Sequence, residues 1–105
     1  MAKQKFSLSA NPTFKAPVKI GVPGGDPVDV EFTFKHRSKD AMKQFITEMK
    51  GKEDVDLIKD IASGWELDDA FDTESLEKLN QNYPGAALGI WQVYVTELQG
   101  ARAKN

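Results

Sequence analysis

Between Val22 and Val28 the chain reads Pro23-Gly24-Gly25-Asp26-Pro27, and this break limits the fold more than any other feature of the sequence. The prolines restrict φ and the glycines admit positive φ, as a tight connection between two strands requires. Before the break, Val18, Ile20 and Val22 alternate with Lys19 and Gly21; after it, Val28, Val30, Phe32 and Phe34 alternate with Asp29, Glu31 and Thr33. A period of two marks half-buried strands. Residues 14–36 are therefore expected to form an antiparallel β-hairpin. Such a hairpin is marginal by itself in water, so its Val/Phe face needs cover.

Helices C-terminal to the hairpin supply that cover. Ser38 can cap a helix over residues 39–50, with Met42, Phe45, Ile46 and Met49 at helical spacing and Gly51 placed to end it. A short second helix over 54–63 carries Val55, Ile58, Ile61 and Ala62 on one side, with Gly64 as its expected stop. Residues 66–71 have no clean period and read as a loop, after which Asp72 or Thr73 caps a third helix bearing Leu76 and Leu79. Tyr83-Pro84 marks a corner, because proline disfavours helix at the preceding residue and suits the first turn of a new one. The last helix, 84–99, is apolar around most of its circumference and so wants burial on more than one side.

These elements predict the α+β class: an N-terminal hairpin (14–36) packed on a mainly α-helical domain of about four helices (38–99). At 105 residues there is room for one domain, 14–105, with residues 1–13 as a loose N-terminal arm and residues 100–105 fraying.

Composition narrows the chemistry. Without cysteine there is no disulfide, thiolate metal site or thiol catalysis. No run approaches the length of a membrane span, and the start MAKQKFSLSA lacks a signal peptide's apolar stretch, so a cytoplasmic location is expected. His36, the single histidine, sits between Lys35 and Arg37, which repel a cation. The glycines of the turn lead into a strand, whereas a phosphate cradle leads into a helix. Glu66, Asp68, Asp69, Asp72 and Glu74 do not match the spacing of an EF-hand loop and suit a helix start and a solvated loop. Lys35, His36, Arg37, Lys39 and Lys43 form a basic run without interleaved aromatics, which suits a solvated face better than a nucleic-acid site. No cofactor, metal site, membrane contact or enzymatic activity is expected.

Charge is divided along the chain. Residues 1–50 hold nine Lys/Arg against five Asp/Glu, and residues 51–105 hold five against eleven, so the halves carry +4 and −6. That division can act within one molecule or between neighbours. The acidic half also concentrates the aromatics Trp65, Phe71, Tyr83, Trp91 and Tyr94. Trp and Tyr are frequent at binding hot spots and are equally what a small core uses, so these five are candidates for partner binding or self-association and for core packing alike.

The order of these features resembles a known family. The run VPGG into VDVEFTFKHRSKD, then GWELDDAF, TESLEKLNQNYPGAA and IWQVYVTELQGARAKN, is similar to tail assembly chaperones of long-tailed phages and prophages, over about Ile20 to Asn105. The resemblance implies a non-enzymatic protein of the infected host's cytoplasm. It implies binding to the helical tape-measure protein before the major tail protein polymerises around it, and absence from the mature virion. It also implies a short form whose frameshifted extension recruits tail-tube subunits. Apart from the resemblance, self-association is expected to strengthen repeated weak contacts along one elongated client. The residues themselves leave two other classes open: a structural virion subunit such as a connector or tail-completion protein, and a small nucleic-acid-binding regulator using Lys35 to Lys43.

Overall fold

The computed structural model describes residues 8–100. The hairpin forms as expected: β1 (Thr13–Ile20) pairs antiparallel with β2 (Val28–Lys35) in continuous register from Thr13↔Lys35 to Ile20↔Val28. The turn closes through the Gly25 N–H, which donates to Val22 O at 2.9 Å, with Gly24 at φ +76°. At the open end the His36 N–H donates to Pro12 O at 2.9 Å. Alternation from that bond directs the backbone of Phe14, Ala16 and Val18 towards β2 and that of Lys15, Pro17 and Lys19 away from it. Pro17 thus lies where its missing N–H costs no ladder bond, and it discourages pairing with a further strand on this edge.

A third strand, β3 (Ala62–Trp65), completes a sheet of order β1-β2-β3. This corrects the expected second helix over 54–63. Helix α2 (Asp54–Ile61) stops at Ile61, and the backbone passes straight into extended geometry at Ala62. Gly64 is accordingly no helix stop; it pairs with Thr33 in the sheet. The physical reason is non-local: β2 has an open edge, and pairing Phe32↔Trp65 and Phe34↔Ala62 satisfies it, with one irregularity between Thr33 and Phe34.

The remaining helices are α1 (Lys39–Glu48), α3 (Thr73–Asn82) and α4 (Ala86–Gln99). Ser38 caps α1, its Oγ accepting from the Ala41 N–H at 3.2 Å, and Gly51 follows the helix at φ +81°. Asp72 caps α3, accepting from the Ser75 N–H at 2.9 Å. That bond holds the Asp72 carboxyl below the ordinary aspartate value, because it favours the ionised form. The Tyr83-Pro84 corner separates α3 from α4, which begins at Ala86 and not at Pro84.

One face of the sheet, Ala16, Val18 and Ile20 with Val30, Phe32 and Phe34, meets Ile58 and Ile61 of α2, Leu76 of α3, and Ala86, Ala87, Ile90 and Tyr94 of α4 in a single core. Gly89 brings α4 close to β1: a Cβ there would lie 3.7 Å from Lys19 O. The first β-strand begins one residue before the expected boundary, and residues 8–12 of the expected arm are exposed. The rest of that arm, and the expected fraying beyond Gly100, lie outside the described residues.

The two glycines expected to end helices separate cleanly by substitution. Gly51→Ala is expected to cost about 1 kcal/mol or more, because its positive φ strains any L side chain even though the space is open. Gly64→Ala, with open space and no positive φ, is expected to be neutral or to stabilise by up to about 1 kcal/mol by restricting the unfolded chain. Urea midpoints of the two variants check both signs.

Candidate partner-binding surfaces

The five aromatics of the acidic half divide into two groups. Trp65, at the end of β3, packs edge-on against Phe32 (5.7 Å between centroids, 77°) and against Phe71 (5.1 Å, 90°). Its indole Nε1–H donates to Asp69 O at 2.8 Å, tying the 66–71 loop back onto the strand. Trp65 and Phe71 are half-buried as a result. Half-buried Tyr83 and Leu79 join Trp65 and Leu67 around a cleft of about 280 Å³, with Asp69 and Lys78 at its rim. Leu67 is 43% exposed, an apolar residue held in an otherwise acidic loop.

The second group lies under α1. Tyr94 is fully buried, its ring against Phe34 (5.5 Å), Phe14 (6.2 Å) and Trp91 (6.1 Å). Its hydroxyl donates to Lys35 O at 2.9 Å and accepts from Arg37 Nη1 at 2.9 Å. Tyr94 therefore belongs to the core and has no free surface in the folded chain. Trp91 is half-buried between Tyr94 and Phe45, the latter at 6.3 Å. The Arg37 guanidinium lies 4.0 Å over the Phe45 ring, so a single side chain ties the end of the hairpin to both α1 and α4.

A further surface lies apart from the five aromatics. The face of α1 that carries Met42 and Ile46 meets Leu98, near the C-terminal end of α4, across a groove of about 550 Å³. His36, Arg37, Lys39 and Lys43 line the same groove. Both parts were visible in the sequence, the basic run and the apolar helical face. What was not visible is that they adjoin and that the core covers only part of the face: Phe45 alone of α1 is buried, and Ile46 is 47% exposed.

The surfaces differ in charge. The Trp65 cleft is lined by one carboxylate, Asp69, and one cation, Lys78, whereas the α1 groove is lined by Arg37, Lys39 and Lys43 with no carboxylate among its lining residues. Among the described residues, no group of three or more His, Asp or Glu side chains is arranged to hold a metal ion. No helix of the described residues is long and apolar enough to cross a membrane.

Comparison with known proteins gives one match. The family model described as phage tail assembly chaperone matches residues 1–105, extending through the Met1–Pro17 segment that the sequence resemblance left out. No curated protein and no solved structure shows significant similarity to the chain. With the whole length matched, the chain belongs to the phage tail assembly chaperone family and is not an enzyme.

Proposed function

We propose that the chain binds the tape-measure protein in the infected cell, keeps its apolar helical surface from premature association, and leaves before the virion is complete. The observation that carries this reading is a pair of partly covered apolar surfaces on a chain matched along its whole length by the chaperone family. A half-covered helix face or aromatic cleft suits an amphipathic helix, which lays its apolar stripe into a groove. Trp65, Phe71, Tyr83 and Trp91 are the aromatic contacts, with Tyr94 supporting them from within the core. Contacts repeated along one elongated client give occupancy through multivalency, and self-association of the chaperone adds to it. The major tail protein is engaged indirectly, after the tape-measure protein is coated.

Co-expression with the tape-measure protein of the same phage, followed by pull-down at moderate salt, tests this. Retention of the client by the folded chain is expected, together with absence of the chain from purified particles. A folded chain that retains no client, or that is present in particles at fixed stoichiometry, overturns the reading; the second result assigns it to the virion structure.

A further inference from the structure

We propose that the groove between α1 and the C-terminal end of α4 is a docking site for an amphipathic helix whose apolar stripe is flanked by acidic residues. This deepens the proposed chaperone function and rests on it for the client's identity, though not for the chemistry of the groove.

The floor is apolar and incompletely covered. Met42 and Ile46 are four residues apart and so form one ridge along α1, and Leu98 faces them from α4. Methionine adapts its shape at low cost, which suits a surface that meets apolar side chains of varied form. Arg37 is occupied by the Tyr94 hydroxyl and the Phe45 ring, so it fixes the wall of the groove. Lys39 and Lys43 are exposed, and no ion pair joins either to a described residue. An apolar floor with free cations at its edge is complementary to an apolar stripe with carboxylates beside it.

Charge also argues against the nearer occupants. The segments outside the described residues, 1–7 and 101–105, carry Lys3, Lys5, Arg102 and Lys104 as their only charged side chains, all of the same sign as the rim. A second copy offers its acidic 66–74 segment, but Leu67 is the one strongly exposed large apolar residue there. A single leucine does not fill a groove of about 550 Å³. A helix presenting apolar residues at i, i+3 or i+4, and i+7 meets the whole ridge.

The test uses two synthetic peptides of about 20 residues, long enough to be helical. They share one leucine stripe and differ only in flanks, glutamate in one and lysine in the other. Each is titrated into the full isotopically labelled chain and followed by NMR. The Glu-flanked peptide is expected to bind about tenfold more tightly at low salt, with shifts centred on Met42, Ile46 and Leu98. The Lys39→Glu/Lys43→Glu variant, altered only at exposed positions, is expected to reverse the preference.

Equal affinities overturn the proposal, as do shifts centred on the Trp65 cleft. Broadening of the groove signals with chain concentration alone, without peptide, also overturns it by showing a second copy in the groove. Should the double variant fail to fold, the comparison of the two peptides on the unaltered chain still decides. Docking of the acidic peptide without retention of the tape-measure protein leaves the groove standing and removes the proposed client. Retention of the client with the groove silent does the reverse.

Discussion

Phe34→Ala is expected to destabilise the chain by about 3–5 kcal/mol, the range for removing a fully buried aromatic side chain. A small domain typically has about 5–15 kcal/mol to lose, so this variant should be largely unfolded under mild denaturing conditions. Phe34 has no exposed surface and stands where the sheet, the aromatic stack and α4 meet. Its ring lies 5.5 Å from Phe14, 5.8 Å from Phe32 and 5.5 Å from Tyr94. Its backbone is paired on both sides, to Phe14 and to Ala62. Val28→Ala, in the same strand but at a residue 51% exposed, is the control and should move stability by less than about 0.5 kcal/mol. Urea unfolding followed by tryptophan fluorescence and circular dichroism distinguishes them. A loss below about 1 kcal/mol at Phe34 would mean that the core closes around the gap, contrary to the tight packing of its ring.

The hairpin was legible because every signal that specifies it is local. The turn residues, the alternation and the strand lengths lie within 24 consecutive positions, 13–36. Helices α1 and α3 were legible for the same reason, through Ser38 and Asp72 as caps and apolar residues at helical spacing. β3 was not. Ala62-Ser63-Gly64-Trp65 is too short to show a period and contains residues with little strand preference. What makes it a strand is the open edge of β2, some thirty positions earlier, and a partner that distant leaves no mark on the local sequence. Gly64 misled for a related reason: glycine after an apolar helical run suits a helix stop, but the helix had already ended at Ile61.

The binding surfaces were legible in composition and not in exposure. Concentration of aromatics in the acidic half pointed to Trp65, Phe71, Tyr83, Trp91 and Tyr94, but only packing separates half-buried Trp65 and Trp91 from fully buried Tyr94. The last helix, apolar on nearly every side, is satisfied from several directions: Ile90 and Tyr94 face the core and Trp91 meets Phe45, while Leu88 remains 61% exposed. On α1 the pattern promised a buried face, yet Phe45 alone is buried, beside Trp91 of α4 and beneath the Arg37 guanidinium. Periodicity tells which residues share a face; it does not tell how much of that face a 105-residue chain can cover.

The second large effect is expected at Tyr94, where ring and hydroxyl have separable roles. Tyr94→Ala removes both and should cost about 3–5 kcal/mol through the cavity alone. Tyr94→Phe keeps the ring and should cost about 1–3 kcal/mol, because it deprives the Lys35 carbonyl of its donor and Arg37 of its acceptor. The hydroxyl is also the point at which α4 holds the segment leading into α1, since Arg37 spans from Tyr94 to the face of Phe45. Loss of the hydroxyl should therefore loosen α1 more than the sheet. Amide hydrogen exchange checks this: in Tyr94→Phe the α1 amides should exchange faster relative to those of β2 than they do in the unaltered chain. Arg37→Met, with its stem retained, should produce the same local pattern, and the double variant should cost less than the sum of the two single changes. Additive costs, or uniform acceleration across β2 and α1, would mean that the hydroxyl stabilises the whole core and does not anchor α1. In the anchored case, Tyr94 shapes the α1 groove from beneath without itself reaching the surface.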